Sequence, residues 1–261
     1  MTTANYKSIA SKLKFEGRAF IDGKYVDAID GRKFESINPA TGDVLCSVAR
    51  CNHKDVDLAV KVSRKAFESG VWSKTAPEYR KNILLKFAEL LTNHGEENAV
   101  LECVDTGKLI SDCINEVAND TPMHFQWYAE LIDKTFGKIS PTDPSITSLI
   151  IKEPIGVVAG VVPWNFPLMM AVWKLAPALA AGCSVIIKPA EDTPLSAIKI
   201  AQIAKEAGIP DGVFNVIPGF GDAGEALGRH NDVDAVSFTG STEVGGLFMK
   251  YSGESNLKTI G

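Results

Sequence analysis

From residue 155 onward the chain repeats one unit: a short apolar run, then a stretch of helical periodicity closed by a turn. Residues 155–162 are continuously apolar, as a strand buried on both faces requires, and 168–181 read as a helix that stops at Gly182. Residues 184–187 give the next strand, 195–207 a helix ending at Gly208, 213–217 a strand, 223–227 a short helix and 235–238 a fourth strand, after which helical spacing runs through Val244 and Leu247. Strands that alternate with helices are joined by right-handed crossovers. The predicted fold class is therefore α/β, a doubly wound Rossmann-like parallel sheet. Such sheets collect ligands at the carboxyl ends of their strands and anions at helix N-termini, so the turns after the strands are where a site is sought.

The earlier half obeys other periods. Residues 19–26, with an Asp22-Gly23 turn, and 34–37, leading through Asn38-Pro39-Ala40-Thr41-Gly42 to 44–48, read as an N-terminal β-meander. Helical stripes follow: Val56, Ala59, Val60, Ser63 and Phe67, then a second helix that opens on Pro77 and carries Ile83, Leu84, Phe87, Leu90 and Leu91. A third helix spans about 96–102 and a long fourth about 111–134, before Gly137, Pro141 and Pro144 break the pattern. Residues 145–151 alternate and are β-branched, either an arm that pairs subunits or a plain surface hairpin. The expected organisation is 1–135 as N-terminal meander and helices, 136–154 as a β arm and candidate oligomerisation element, and 155–261 as the Rossmann-like core.

With 261 residues a sizeable core needs no disulfide or metal staple. No apolar run reaches membrane-spanning length, so no membrane is expected. The net charge of −5, from 27 basic and 32 acidic side chains, gives no broad positive field, and nucleic acid is not an expected partner. Residues 1–20 lack the apolar core of a signal peptide and read as a frayed cytoplasmic start. Five cysteines, an odd number without Cys-x-x-Cys spacing, fit reduced thiols in a cytoplasm, and four scattered histidines give no metal-ligand pattern.

Four turns carry candidate chemistry. Gly219-Phe220-Gly221-Asp222-Ala223-Gly224 spells the dinucleotide fingerprint between a strand and a helix, but after the third strand of the series, so a plain glycine turn and a cofactor contact are both open. Phe238-Thr239-Gly240-Ser241-Thr242 places amides and hydroxyls at a helix start, where a pyrophosphate would sit; Ser241 serves equally as an ordinary N-cap. Lys188-Pro189-Ala190-Glu191 ends a strand with an ammonium and a carboxylate that together can grip a ribose and repel a 2′-phosphate, or with a solvated pair at the strand edge. In Val162-Pro163-Trp164-Asn165-Phe166-Pro167 the Asn165 amide either bonds to nearby backbone as a turn residue or donates to an oxyanion as a carbonyl is attacked.

These segments, together with Ala207-Gly208-Ile209-Pro210, Ile37-Asn38-Pro39-Ala40-Thr41-Gly42 and Asp105-Thr106-Gly107-Lys108, resemble the NAD(P)-dependent aldehyde dehydrogenase superfamily over nearly the whole chain. Trp127-Tyr128-Ala129 and Gly253-Glu254-Ser255-Asn256-Leu257-Lys258 look most like the enzymes acting on γ-glutamylamino- or amino-aldehydes. The resemblance implies that Asn165 is the oxyanion donor and that Lys188 and Glu191 hold the adenosine ribose of NAD, with Pro189 and Ala190 beside them. It also implies that Gly221 lines the adenine side and that Gly240 with Ser241 faces the pyrophosphate, with Asp222, Phe238, Val244, Val162, Pro163 and Trp164 among the cofactor-binding residues. In the family a cysteine thiolate attacks the aldehyde, hydride passes to the nicotinamide, and a glutamate-activated water releases the acid. By the same resemblance that glutamate and that cysteine belong to a catalytic domain beyond Gly261. Cys46, Cys51, Cys103, Cys113 and Cys183 do not occupy the nucleophile's context, so the chain as given is expected to oxidise no aldehyde. The alternative from another class is a non-catalytic NAD-binding or subunit-pairing module; in the complete enzyme a homo-oligomer and an aldehyde substrate are expected.

Overall fold

The computed structural model describes residues 3–261. The chain begins with α1 (Thr3–Ala10), the strands β1 (Ala19–Ile21), β2 (Lys24–Val26), β3 (Lys33–Ile37) and β4 (Val44–Ala49), and the helices α2 (His53–Ser69), α3 (Pro77–Asn93) and α4 (Gly95–Thr106). Next come α5 (Ile110–Cys113), a π-helical turn (Ile114–Asp120), α6 (Thr121–Leu131), a 3-10 turn (Ile132–Lys134), β5 (Lys138–Ser140) and β6 (Ser148–Ile150). The remainder alternates: β7 (Val157–Val161), α7 (Pro167–Ala181), β8 (Ser184–Lys188), α8 (Leu195–Ala207), β9 (Phe214–Val216), α9 (Gly221–Arg229), β10 (Ala235–Phe238), α10 (Thr242–Gly253) and β11 (Thr259–Ile260).

Seven strands form one sheet in the order β11-β10-β7-β8-β9-β1-β2. The first five are parallel, and β1 and β2 extend the sheet antiparallel beyond β9. The chain thus starts at β7, winds outward through β8 and β9, then returns past β7 to lay down β10 and β11, which makes the sheet doubly wound with its switch point between β7 and β10. The two windings cover opposite faces. Val185 and Ile187 point into a core shared with Leu168, Leu175 and Leu179 of α7, Ile198 of α8, Phe87 of α3 and Phe125 of α6. Ile186, between them in the strand, points the other way, into a core with Val56 and Val60 of α2, Leu227 of α9 and Phe248 of α10. Because both faces are covered, β7 and β8 are buried at all five positions, which is why they read as continuous apolar runs.

Several early elements differ from expectation. The N-terminal strands split: β1–β2 is part of the main sheet, held by the buried Asn215, whose Oδ1 accepts from the Asp22 N–H at 2.9 Å and whose amide donates to Ser63 Oγ. The β3–β4 hairpin stands apart as its own two-stranded sheet. Residues 3–10, read as a frayed start, instead form α1, which packs on α4, while Leu13 and Phe15 pack on the core; Met1 and Thr2 lie outside the described residues. The helix expected over 111–134 starts at Ile110 and widens into the π turn directly before Pro122, where the missing N–H leaves the regular ladder without a donor. The Thr121 hydroxyl donates to the Glu116 carbonyl at 3.0 Å, beside the bond that carbonyl accepts from the Thr121 N–H. β11, too short for a period to show, pairs in parallel with β10.

Candidate functional site

Three of the four candidate turns leave the sheet side by side. Val161 of β7 is in register with Lys188 of β8 and with Phe238 of β10. The ladder continues one step past the strands, as the Val162 N–H donates to the Lys188 carbonyl at 3.2 Å and the Thr239 N–H to the Val161 carbonyl at 3.1 Å. Val162 is buried there, Pro163 half-buried, and Trp164 is 61% exposed. The Trp164 carbonyl accepts a long bond, 3.4 Å, from the Thr193 hydroxyl, tying this turn to the one after β8.

Lys188 is 5% exposed, so the reading of a solvated pair at a strand edge does not describe it. Its ammonium bonds to Glu191 Oε2 at 3.1 Å, and burial, opposed by that carboxylate, lowers its pKa. Pro189 and Ala190 are buried beneath the turn, while the half-buried Glu191 reaches the rim of a cleft of about 550 Å³ that Trp164, Phe34, Ile37, Pro39 and Phe220 also line. After β10, Gly240 crosses the Phe238 ring so closely that a Cβ would come within 2.4 Å of it. Ser241 does cap α10, accepting from the Val244 N–H at 3.3 Å, yet Gly240 to Val244 are all exposed, so the first turn still presents backbone N–H groups to solvent.

Asn165 is exposed, and its side chain makes no hydrogen bond among the described residues; the local backbone partner of a turn asparagine is absent there. The turn around it is held from outside. Pro167 occupies the first position of α7, Glu102 Oε2 accepts from the Leu168 N–H at 3.2 Å, and the Lys108 ammonium lies 4.0 Å from the centre of the Phe166 ring.

The literal glycine fingerprint divides by role. A Cβ at Gly219 would meet the Cys51 carbonyl oxygen at 2.7 Å, so this glycine serves close packing of the β4–α2 connection. Gly224 faces Phe248 of α10. Gly221 alone has open space beside it, next to the exposed Asp222, whose Oδ1 accepts from the Ala223 N–H at 3.0 Å.

The sequence reading missed two contributions to this region. Lys174 of α7 is 8% exposed and runs across Gly160 of β7, where a Cβ would lie 2.6 Å from Ile187 Cδ1; its ammonium donates to Thr239 Oγ1 at 2.6 Å, and burial lowers its pKa. The available signal was one lysine in an otherwise uncharged helix, PLMMAVWKLAPALAA. The second is a pair of carboxylates on α4. Neither α7 nor α8 has a side-chain cap of its own. Glu102 caps the first, and Asp105, three residues on, caps the second by accepting from the Leu195 N–H at 3.0 Å, while Ser36 donates to its other oxygen at 2.9 Å. Burial pushes both carboxyl groups up to about 7.

A doubly wound sheet with an ammonium–carboxylate pair, an open helix N-terminus and an exposed amide on adjacent strand ends has the layout in which α/β proteins gather ligands outside the carboxyl ends of their strands. Residues 25–261 match the model of the aldehyde dehydrogenase family, and the chain belongs to that family. It is 51% identical to the aminoacetaldehyde dehydrogenase of Pseudomonas aeruginosa over 261 residues, all of this chain and 53% of that protein. It is 47% identical to the NADP/NAD-dependent aldehyde dehydrogenase PuuC of Escherichia coli over 258 residues, 98% of this chain and 52% of PuuC. The fold superimposes with a TM-score of 0.98 and 49% identity on the P. syringae AldA indole-3-acetaldehyde dehydrogenase solved with NAD+ and IAA, covering all of this chain and 53% of AldA. The chain spans about half the length of the curated relatives it matches.

Proposed function

We propose that this chain holds NAD across the ends of β7, β8 and β10 and that the protein it belongs to oxidises an aldehyde to a carboxylic acid. The observation that carries the reading is the buried Lys188 paired with the half-buried Glu191 at the end of β8, next to the switch point. There the carboxylate accepts from the ribose hydroxyls and the ammonium donates to the same sugar. Phe238, Gly240, Ser241 and the exposed first turn of α10, with Val244, border the pyrophosphate. Gly221, with its open space, and Asp222 take the adenine side, while Val162, Pro163, Trp164, Pro189 and Ala190 wall the crevice. NAD+ supplies the hydride acceptor when bound. Asn165 donates its amide to the aldehyde oxygen as negative charge develops on it, an interaction made strongest in the transition state.

An amino- or γ-glutamylamino-aldehyde is the narrower substrate we favour. Trp127 lines a cleft of about 270 Å³ with Met123, His124 and Tyr128, and the His124 ring lies 5.8 Å from that of Trp173, so an aromatic wall flanks the helix that follows Asn165. The other motif behind this assignment has a structural task, since Lys258 is buried and donates to the Gly228 carbonyl at 2.7 Å. The β5–β6 arm supports a homo-oligomer, and the protein is placed in the cytoplasm.

Titration calorimetry tests the cofactor assignment. The chain is expected to bind NAD+ more tightly than NADP+, with Glu191→Ala narrowing the ratio by about tenfold through loss of the repulsive carboxylate. Asn165→Ala should leave NAD+ affinity within about twofold while lowering aldehyde turnover of the complete enzyme on the order of a hundredfold. Preference for NADP+, or no heat of binding, would remove the ribose assignment.

A further inference from the structure

Among the described residues the Asn165 side chain makes no hydrogen bond, so the direction of its amide is set by the turn that carries it. Contacts from other elements hold that turn. Before Asn165, the Trp164 carbonyl accepts from the Thr193 hydroxyl at 3.4 Å, and after it Glu102 Oε2 accepts from the Leu168 N–H at 3.2 Å. A further contact reaches the side chain next to the amide: the Lys108 ammonium lies 4.0 Å from the centre of the Phe166 ring. That ammonium is ion-paired with Glu116, and the two side chains are only 18% and 16% exposed, so water screens the cation less than it would on an open surface.

Lys108 is itself fixed from both sides of its backbone. Its N–H donates to Thr106 Oγ1 at 3.2 Å and its carbonyl accepts from the Cys103 thiol at 3.1 Å, both at the end of α4. Gly107, which precedes it, closes α4 in the left-handed conformation with φ 74°, and a Cβ there would meet Pro39 Cγ at 2.8 Å. Glu116 belongs to the π-helical turn, which packs on α4 and on α7, and turns of this kind recur at functional sites. The segment Asp105-Thr106-Gly107-Lys108 and the π turn thus converge on one ring, the one adjoining Asn165.

We propose that Lys108 and Glu116 are positioning residues for Asn165: the pair clamps the Phe166 ring and so holds the neighbouring amide where it can donate to the developing oxyanion. The catalytic part of this assignment rests on the function proposed above; the holding of the turn does not. Glu116 keeps the lysine stem from swinging into solvent, and the ammonium keeps the negative face of the ring against it. Without the ammonium the turn is left to the Thr193 and Glu102 bonds on either side, and neither touches Asn165 or Phe166. A donor displaced by about 1 Å can lose up to about a hundredfold in rate, so a modest loosening of this ring is enough to be read in turnover.

Two measurements test it. On the chain itself, nitrogen-15 relaxation should show the Asn165 backbone order parameter falling from about 0.85 toward 0.6 in Lys108→Met, with Val158 of β7 unchanged as the internal control. Lys108→Arg should keep the parent value, since a guanidinium also stacks on a ring and pairs with a carboxylate. Phe166→Leu removes the ring while leaving the ion pair and should loosen Asn165 equally; it decides the matter if the methionine variant does not fold. In the complete enzyme Lys108→Met should lower kcat about tenfold with the KM for NAD+ within about twofold, Lys108→Arg should restore most of the loss, and Lys108→Met should cost nothing further once Asn165 is alanine. An unchanged Asn165 order parameter would overturn the proposal, as would a Lys108→Met loss that multiplies with that of Asn165→Ala. If Asn165→Ala alone leaves turnover intact, the oxyanion assignment fails, and the order parameter still decides whether the pair holds the turn.

Discussion

Lys174 is a residue whose position costs the fold something. Its ammonium is buried and has a neutral hydroxyl, Thr239 Oγ1, as its hydrogen-bond partner, and desolvation depresses its pKa. Desolvation disfavours the charged form of Lys174, and among the described residues only a hydroxyl, not a carboxylate, partners that ammonium. Methionine fills nearly the same volume without the charge. Lys174→Met is therefore expected to raise the unfolding free energy by about 1 kcal/mol, read from urea midpoints. A lower midpoint would mean that the bond to Thr239 outweighs desolvation. Such a gain on removal is what a residue kept for the crevice, not for stability, should show. Asn165 belongs to the same category on simpler grounds: an exposed amide without a hydrogen-bond partner among the described residues contributes little to folding, and Asn165→Ala should leave the midpoint within about 0.5 kcal/mol of the parent.

At the scale of elements, α4 acts as a clamp on α7 and α8, because Glu102 and Asp105 cap the helices that begin just after the first two candidate turns. The pH dependence follows from the direction of their shifts. Both carboxyl groups stand near 7 in the folded chain against ordinary values of 4.5 and 3.8, so between about pH 5 and 7 the folded state keeps protons that the unfolded chain has lost. Their contribution is complete below the unfolded values and disappears as pH rises through 7. Unfolding free energy should therefore fall across that interval by on the order of 2–4 kcal/mol for the pair, and Glu102→Gln with Asp105→Asn should flatten the profile. A parent profile that rises from pH 5 to 7 would contradict this assignment. Glu102 Oε1 and the nearby Ser196 hydroxyl are both buried without partners, which is consistent with a carboxyl group that burial keeps protonated. This element also shows where sequence reasoning stops. The parallel strands were legible because burial on both faces writes an unbroken apolar run, and α7 and α8 were legible at their C-termini because Gly182 and Gly208 close them in the left-handed conformation. Their N-termini carried no such mark, since the capping groups come from a helix 66 and 90 residues earlier. Lys174 escaped for a related reason: its partner is 65 residues away across the sheet.

At the scale of the molecule, the doubly wound sheet carries an apolar projection, the β5–β6 hairpin. β5 and β6 pair antiparallel, Lys138 opposite Ile150 and Ser140 opposite Ser148, and the arm leaves Ile139 75%, Leu149 64% and Ile151 69% exposed, beside Phe136 at 76%. A hairpin of three-residue strands cannot bury these side chains against itself, and isolated two-stranded ribbons are marginal in water. Their cost is offset only if another surface covers them, and an open strand edge offers a second copy of the chain a ladder to extend. The sequence marked this segment by its alternation but could not separate a pairing arm from a surface hairpin, because both have the same period; the exposure of successive apolar side chains on both faces favours the arm. Leu149→Asp places a charge on an exposed position whose cross-strand neighbour is the equally exposed Ile139, outside the main sheet, so the fold should keep its circular dichroism and NAD+ affinity while sedimentation velocity shifts toward the monomer. Removal of a hydrophobic contact from each subunit of a symmetric interface counts twice, about 2–4 kcal/mol of association free energy, or on the order of a thirtyfold or larger rise in the dissociation constant. An unchanged sedimentation profile for Leu149→Asp and for Ile139→Asp alike would leave the arm as a hairpin that some other molecule, and not a second copy, must cover.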